Sequence, residues 1–215
     1  MSGPFDIVRQ FEAEVAAYTG APFCVAVSSC TMALLLACAW QREAVNREAE
    51  RRGSGMMPLP PEVRIPRRTY VSVPMSVMHA GYRVSFTDDL WSGAYRLFPL
   101  PVWDSARWFT ADLWRTLQGF VCLSFHASKT LGISQGGAIL HDSPEADAWL
   151  RRARFDGRTE GVDPKDDHFD MIGYHCYLSP DIAAGLLLKL HSLPRHNAPL
   201  PNSDYPDLSL CEAFR

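Results

Sequence analysis

Short, wholly apolar runs alternate along this chain with segments of helical period, and no other feature narrows its fold as much. Phe23–Val27 is apolar throughout at strand length, and residues 120–123 and 138–140 read as further short buried strands. Residues 5–18 instead place Phe5, Val8, Phe11, Val15 and Tyr18 at helical spacing and stop at Gly20, a residue suited to a carboxy-terminal cap. Residues 31–52 continue as a helix, apolar at first and then strongly charged, so its far half is expected to be solvated. Two glycines and three prolines make 53–61 a loop. Strands are expected at 63–65, 83–86 and 99–103, and helices at 74–80, 144–154 and 180–191, with an irregular polar stretch up to Asp170. Strands joined by crossover helices imply an α/β fold, a three-layer sandwich with a mostly parallel central sheet.

Composition sets outer limits on function. With 215 residues, 47% of them hydrophobic, the chain can bury one substantial core and a small appendage. A formal net charge of -3 gives no mandate for nucleic acid or membrane binding. The segment from Met1 to Asp6 lacks the basic patch and apolar core of a signal peptide, and no later apolar run is long enough to span a bilayer, so the expected location is cytoplasmic. Cys24, Cys30, Cys38, Cys122, Cys176 and Cys211 show no paired spacing and sit mostly in apolar segments, which implies free thiols, no disulfides and no structural zinc. The histidines show no metal-ligand pattern; His191 and His196 read as surface loop residues.

One lysine stands out. Of 21 basic residues only Lys129, Lys165 and Lys189 are lysines. Schiff-base chemistry needs an amine that can lose its proton; guanidinium cannot, whereas a poorly solvated lysine can. Lys129 follows the apolar run 120–123 and precedes a glycine-rich turn into 138–140, which puts it at a strand end. In open α/β sheets ligands collect at the carboxyl ends of strands.

The segment Ser124-Phe125-His126-Ala127-Ser128-Lys129-Thr130-Leu131-Gly132, followed by Gln135-Gly136-Gly137-Ala138-Ile139, is similar to the cofactor-lysine segment of the DegT/StrS sugar aminotransferases, which are fold-type-I pyridoxal-phosphate enzymes. Further segments match in the same order over most of the chain. Residues 11–20 resemble that family's amino-terminal helix, 25–34 its phosphate-binding turn, and 66–72 the strand end that carries its ring-stacking aromatic. Val102-Trp103-Asp104-Ser105-Ala106-Arg107 resembles the stretch that holds the pyridine nitrogen, and residues 172–186 the segment that reaches into the neighbouring subunit's site.

The resemblance implies pyridoxal 5'-phosphate as cofactor, a large domain over residues 1–193 like that of fold-type-I aminotransferases, and a carboxy-terminal tail over 194–215. It makes Lys129 the catalytic residue, forming the internal aldimine and moving the proton between substrate and cofactor carbons. Ser29, Cys30 and Thr31 open a helix directly after a strand, where free N–H groups and the helix dipole favour a phosphate. Alone, that Ser/Thr cluster would be an ordinary helix cap. Ser124 becomes a second phosphate contact, Tyr70 the aromatic over the ring, and Asp104 the carboxylate that keeps the pyridine nitrogen protonated.

Departures from the family's pattern matter too. Cys30 stands where relatives have glycine, and Arg107 where they have glutamine, a cation that would suit a substrate carboxylate or phosphate. His175 and Tyr177 replace asparagine and arginine, leaving His175 as the candidate cross-subunit phosphate contact. The small domain with which relatives cover the site has no counterpart after Leu193, where Pro, Asn and Asp dominate. The implied function is a homodimeric aminotransferase with a shared active site, taking a small-molecule amino substrate and aminating a keto group, by family habit on a nucleotide-linked sugar. An alternative keeps the cofactor and decarboxylates or cleaves a bulky amino acid, such as an amino-acid-modified nucleotide or DNA base; the Arg-rich stretches 42–52 and 64–68 would then meet phosphates, although glutamates interleave the first. A non-catalytic binding subunit is the alternative of another class. No metal is implied.

Overall fold

The computed structural model describes residues 3–53, 61–202 and 204–214. In chain order the elements are α1 (Asp6–Thr19), β1 (Phe23–Val27), α2 (Cys30–Arg51), β2 (Glu62–Pro66), α3 (Ser72–His79), β3 (Arg83–Thr87), β4 (Tyr95–Arg96), β5 (Val102–Asp104), α4 (Leu113–Leu117), β6 (Phe120–Ser124), β7 (Gly137–His141), α5 (Pro144–Ala153) and α6 (Pro180–His191). Single 3₁₀ turns follow at Leu208–Leu210 and Glu212–Phe214. Most of the loop expected over 53–61 lies outside the described residues.

Three layers are present, and the strand sequences show why. In β1, Cys24 and Ala26 point to one core, Val25 and Val27 to the other. In β6, Val121 and Leu123 oppose Phe120 and Cys122 in the same way. This two-residue alternation means that both sheet faces are covered, so the strands are apolar throughout. Helices α2, α3 and α5 pack on one face and α1 and α6 on the other.

The sheet is not mostly parallel, as the alternation of elements implies, but mixed. A five-stranded sheet runs β1-β7-β6-β5-β4, and only β5 with β6 is parallel in it; β1 with β7, β7 with β6 and β4 with β5 are antiparallel. The cause is the connection after β6. Residues 125–136 form a compact loop without a crossover helix, so the chain returns antiparallel as β7. Because β7 inserts between β6 and β1, one reversed strand turns two pairings antiparallel. β2 and β3 form a separate parallel pair, bridged to the main sheet between Arg64 and Phe98.

Most expected elements fall within two or three residues of their places. Gly20 closes α1 at φ 76° with its N–H on the Ala16 carbonyl, as its sequence position implies. The strand expected at 99–103 begins later, at Val102, because Pro99 and Pro101 have no N–H to give a ladder. The two-residue β4 and the short α4 carry no period long enough to read from sequence.

Beneath the sheet, Glu12 of α1 is 3% exposed, although it sits on the buried stripe with Val8, Phe11 and Val15. It accepts from the Ala26 N–H at 2.8 Å and from Arg151 at 2.7 Å, and it pairs with Arg154, itself 2% exposed. Burial alone would raise its carboxyl; Arg154 and Arg151 outweigh that and hold it below the usual range. The cluster ties α1, β1 and α5 together.

Candidate active site

The loop between β6 and β7 carries Lys129. Its N–H donates to the His126 carbonyl at 2.8 Å, and its own carbonyl accepts from Gly132 at 3.0 Å, two tight turns in succession. A Cβ at Gly132 would lie 2.0 Å from the His126 carbonyl oxygen, so this turn admits no side chain there. Lys189 of α6 donates to the Gly132 carbonyl at 2.5 Å and fixes the loop from below. Lys129 is half-buried and faces a cavity of about 390 Å³.

Opposite the lysine, α2 begins. Ser29 caps it by accepting from the Met32 N–H at 3.2 Å. Gly137 lets β7 come close: a Cβ there would sit 2.5 Å from the Cys30 nitrogen. The Thr31 hydroxyl lies 2.8 Å from that of Ser72, and Ser29, Thr31, Ser72 and Ser124 all line the cavity. One end of the cavity is therefore a helix amino terminus ringed with hydroxyls, a setting that favours an oxyanion. The Cys30 thiol lines this end; burial pushes it up, the nearby Asp104 carboxylate raises it further, and it is no ready nucleophile.

Asp104 ends β5 on the cavity wall and is 5% exposed. Its two oxygens accept from Tyr95 Oη at 2.8 Å and the Ala106 N–H at 2.9 Å. Tyr95 is in turn hydrogen-bonded to Thr69. Burial raises the Asp104 carboxyl above the ordinary range, with the Ala106 and Tyr95 bonds and the charge of Lys129 opposing. A carboxylate held this way is steadied by a cationic N–H placed against it.

Tyr70 also lines the cavity, 57% exposed, its ring edge-on to that of Tyr205 at 6.4 Å. Arg107 also lines the cavity, and its guanidinium donates to the Pro201 carbonyl while its own carbonyl accepts from Leu200 N–H at 2.8 Å. Arg107 thereby ties the cavity wall to the segment after Leu193. His175 lies outside the cavity: its side chain is 71% exposed and its Nδ1 is 2.9 Å from Asp156. The structure brings Ser29, Cys30, Thr31, Tyr70, Asp104, Arg107, Ser124 and Lys129 around one cavity.

Several lining residues escape the sequence reading. Thr69 and Ser72 flank Tyr70, and His126 and Ser128 precede Lys129, where adjacency to known positions is a usable signal. Trp91 and Tyr205 also line the cavity, and nothing in their local sequence marks them.

An amine, a buried carboxylate and a hydroxyl-ringed helix terminus around one cavity are groups that fit the aldehyde, ring nitrogen and phosphate of pyridoxal phosphate. Among the described residues no helix is long and apolar enough to cross a membrane, and no group of His, Cys, Asp and Glu is arranged to hold a metal ion.

The profile of the DegT/DnrJ/EryC1/StrS aminotransferase family matches residues 2–90 and 116–199. No curated protein matches the chain. Among solved structures, AtS13 from Actinomadura melliaura superposes with a TM-score of 0.66 at 19% identity, covering 89% of this chain and 60% of AtS13. The sugar aminotransferase CalS13 from Micromonospora echinospora gives 0.64 at 18% identity, covering 86% and 61%. DesI, solved with its TDP-sugar product, gives 0.59 at 22% identity, covering 90% and 54%. The chain spans about three-fifths of the length of the solved structures it matches.

Proposed function

Because the chain belongs to the DegT/DnrJ/EryC1/StrS aminotransferase family, we propose that it is a pyridoxal-phosphate-dependent aminotransferase that aminates a keto group of a nucleotide-linked sugar. The observation that carries this reading is the meeting of Lys129, Asp104 and the amino terminus of α2 at one cavity of about 390 Å³. Sugar substrates are supported by CalS13 and by the TDP-sugar product of DesI.

Pyridoxal phosphate, when bound, supplies a carbonyl carbon that bonds to amines and a ring that withdraws electrons from the carbon beside them. The chain's own residues do the rest. Lys129 Nζ is the amine that holds the cofactor and, once displaced by the substrate amine, takes and returns the proton. Asp104 would pair with the ring nitrogen and keep its proton in place. Tyr70 would cover the ring, while the hydroxyls of Ser29, Thr31 and Ser124 and the N–H groups at Cys30 and Thr31 would bind the phosphate. In this reading residues 1–193 are the cofactor-binding large domain and 194–215 a carboxy-terminal tail. The reading includes a cytoplasmic homodimer, in which His175 of each copy, exposed and outside its own cavity, reaches for the other's phosphate.

The test is a half-reaction. Given glutamate and no keto acceptor, the loaded protein is expected to convert its cofactor to the aminated form, read as a shift in visible absorbance, with release of 2-oxoglutarate. Carbon dioxide released from an amino acid without an acceptor would replace transfer by decarboxylation. Neither outcome would leave a binding subunit and overturn the enzymatic reading.

A further inference from the structure

Asp104 does not meet the cavity alone. β4 is only two residues long, and its antiparallel register sets Tyr95 directly opposite Asp104 of β5, so the two side chains leave the same face of the sheet. The hairpin that joins these strands is held at its tip. Arg96 donates to the Leu100 carbonyl at 2.7 Å and to that of Pro99 at 2.8 Å, and the Leu97 N–H donates to the Val102 carbonyl at 2.8 Å. Tyr95 is buried, its ring packed 4.7 Å from that of Trp91. Thr69, also buried, approaches from the segment between β2 and α3. Tyr95 lies outside both stretches matched by the family profile.

The direction of the bonds follows from counting protons, since each hydroxyl has one to give. Tyr95 Oη gives its proton to Asp104 Oδ2 at 2.8 Å, so the bond between Tyr95 and Thr69 is made with the Thr69 proton. The chain of bonds runs one way, from Thr69 to Tyr95 to Asp104, and ends on a carboxylate whose other oxygen accepts from the Ala106 N–H. Burial, with the charge of Asp104 beside it, pushes the Tyr95 hydroxyl well above its ordinary value, so it stays protonated and remains a donor. A hydroxyl that itself accepts a hydrogen bond donates more strongly. A protonated Asp104 would reverse the chain, so the order of the hydroxyl protons is tied to the charge of Asp104.

Resting on the cofactor site proposed above, we infer that Tyr95 and Thr69 are positioning residues that act through Asp104, holding it as the anion and so leaving the shared proton on the ring nitrogen of the cofactor. The physics is a competition between two bases for one proton. Each hydrogen bond to the carboxylate lowers its basicity and leaves more of the proton on the nitrogen. Burial acts the other way and makes Asp104 more basic, and the bond from Tyr95 opposes it.

Two isotope readouts on the whole chain test this. In cofactor-free protein whose aspartates carry carbon-13 in the side-chain carboxyl, the Asp104 resonance is assigned by its loss in Asp104→Asn and followed against pH. Its midpoint is expected to rise by about one pH unit in Tyr95→Phe, to rise less in Thr69→Val, and to stay in place in Thr69→Ser, which keeps the hydroxyl. Thr69→Val added to Tyr95→Phe is expected to move it no further, because Thr69 acts only through the Tyr95 oxygen. In protein loaded with pyridoxal phosphate carrying nitrogen-15 in the ring, the nitrogen resonance of Tyr95→Phe is expected to shift towards its unprotonated position. A role in packing alone predicts neither shift, since Tyr95→Phe removes a single oxygen. Should Tyr95→Phe not fold, Thr69→Val against Thr69→Ser decides in its place, on both resonances. An unmoved midpoint, an equal effect of Thr69→Val with and without the Tyr95 hydroxyl, or an unmoved nitrogen resonance overturns the inference alone. A protein that takes up no pyridoxal phosphate overturns the site and the inference with it.

Discussion

At the scale of single residues, chemistry is set by which charges are buried and what faces them. Asp104 is nearly inaccessible yet holds two hydrogen bonds, and its carboxyl is raised by burial. Asp104→Asn keeps the shape and removes the charge, so the glutamate half-reaction is expected to slow by about a hundredfold, measured by stopped-flow absorbance. His141 shows the opposite case. Its imidazole is wholly buried between the rings of Phe23 and Phe120, and burial pushes it down to about 4, with Asp147 at 3.7 Å only partly opposing. The unfolded chain takes up this proton near 6.5 and the folded chain near 4, so the unfolded state binds more protons between those values. Stability is therefore complete above about pH 6.5 and is lost as pH falls towards 4. His141→Phe is expected to flatten the fall in melting temperature across that window; an unchanged slope would contradict the assignment. Lys129, Asp104 and Tyr70 were legible because a motif or a strand end marks each. His141 was not, because a histidine at the end of an apolar strand looks the same whether it is buried or solvated.

At the scale of elements, period and punctuation carry most of the information. The two-residue alternation of β1 and β6 and the helical stripe of α1 are written directly in the sequence, and the helix stops at Gly20 for the reason its position suggests. Strand direction is not written there. β7 runs backwards because a compact loop precedes it, and no local pattern separates such a loop from a crossover. The closeness of β7 to the start of α2 gives a sharp expectation. Gly137→Ala puts a methyl group into the backbone of Ser29 and Cys30, which is expected to destabilise the fold by about 1–3 kcal/mol and to weaken cofactor binding, measured by denaturant melts and absorbance titration. Glu12 was legible as part of a helix but not as a buried charge, since its arginine partners lie far along the chain on α5 and at its end. Glu12→Ala leaves Arg154 buried without its carboxylate and is expected to cost about 3–5 kcal/mol in chemical denaturation; Glu12→Gln is expected to cost less.

At the scale of the whole molecule, two cores on either face of one mixed sheet present the amino terminus of α2, the end of β5 and the loop after β6 to a shared cavity. The three-layer class followed from the alternation of elements, and the collinear motifs marked several of the residues that line the cavity. What the sequence withheld was the return of the segment after Leu193, which reads as a polar tail. Its contacts, from Arg107 to Leu200 and from Arg67 to Leu208, join positions about a hundred residues apart or more and depend on backbone carbonyls that no side-chain pattern announces. The central claim is that this assembly holds pyridoxal phosphate on Lys129. The most direct measurement is borohydride reduction of the loaded protein followed by mass spectrometry of its peptides. Label on Lys129, absent from Lys165 and Lys189 and lost in Lys129→Ala, is the expected result; no label, or label on another lysine, would contradict the account.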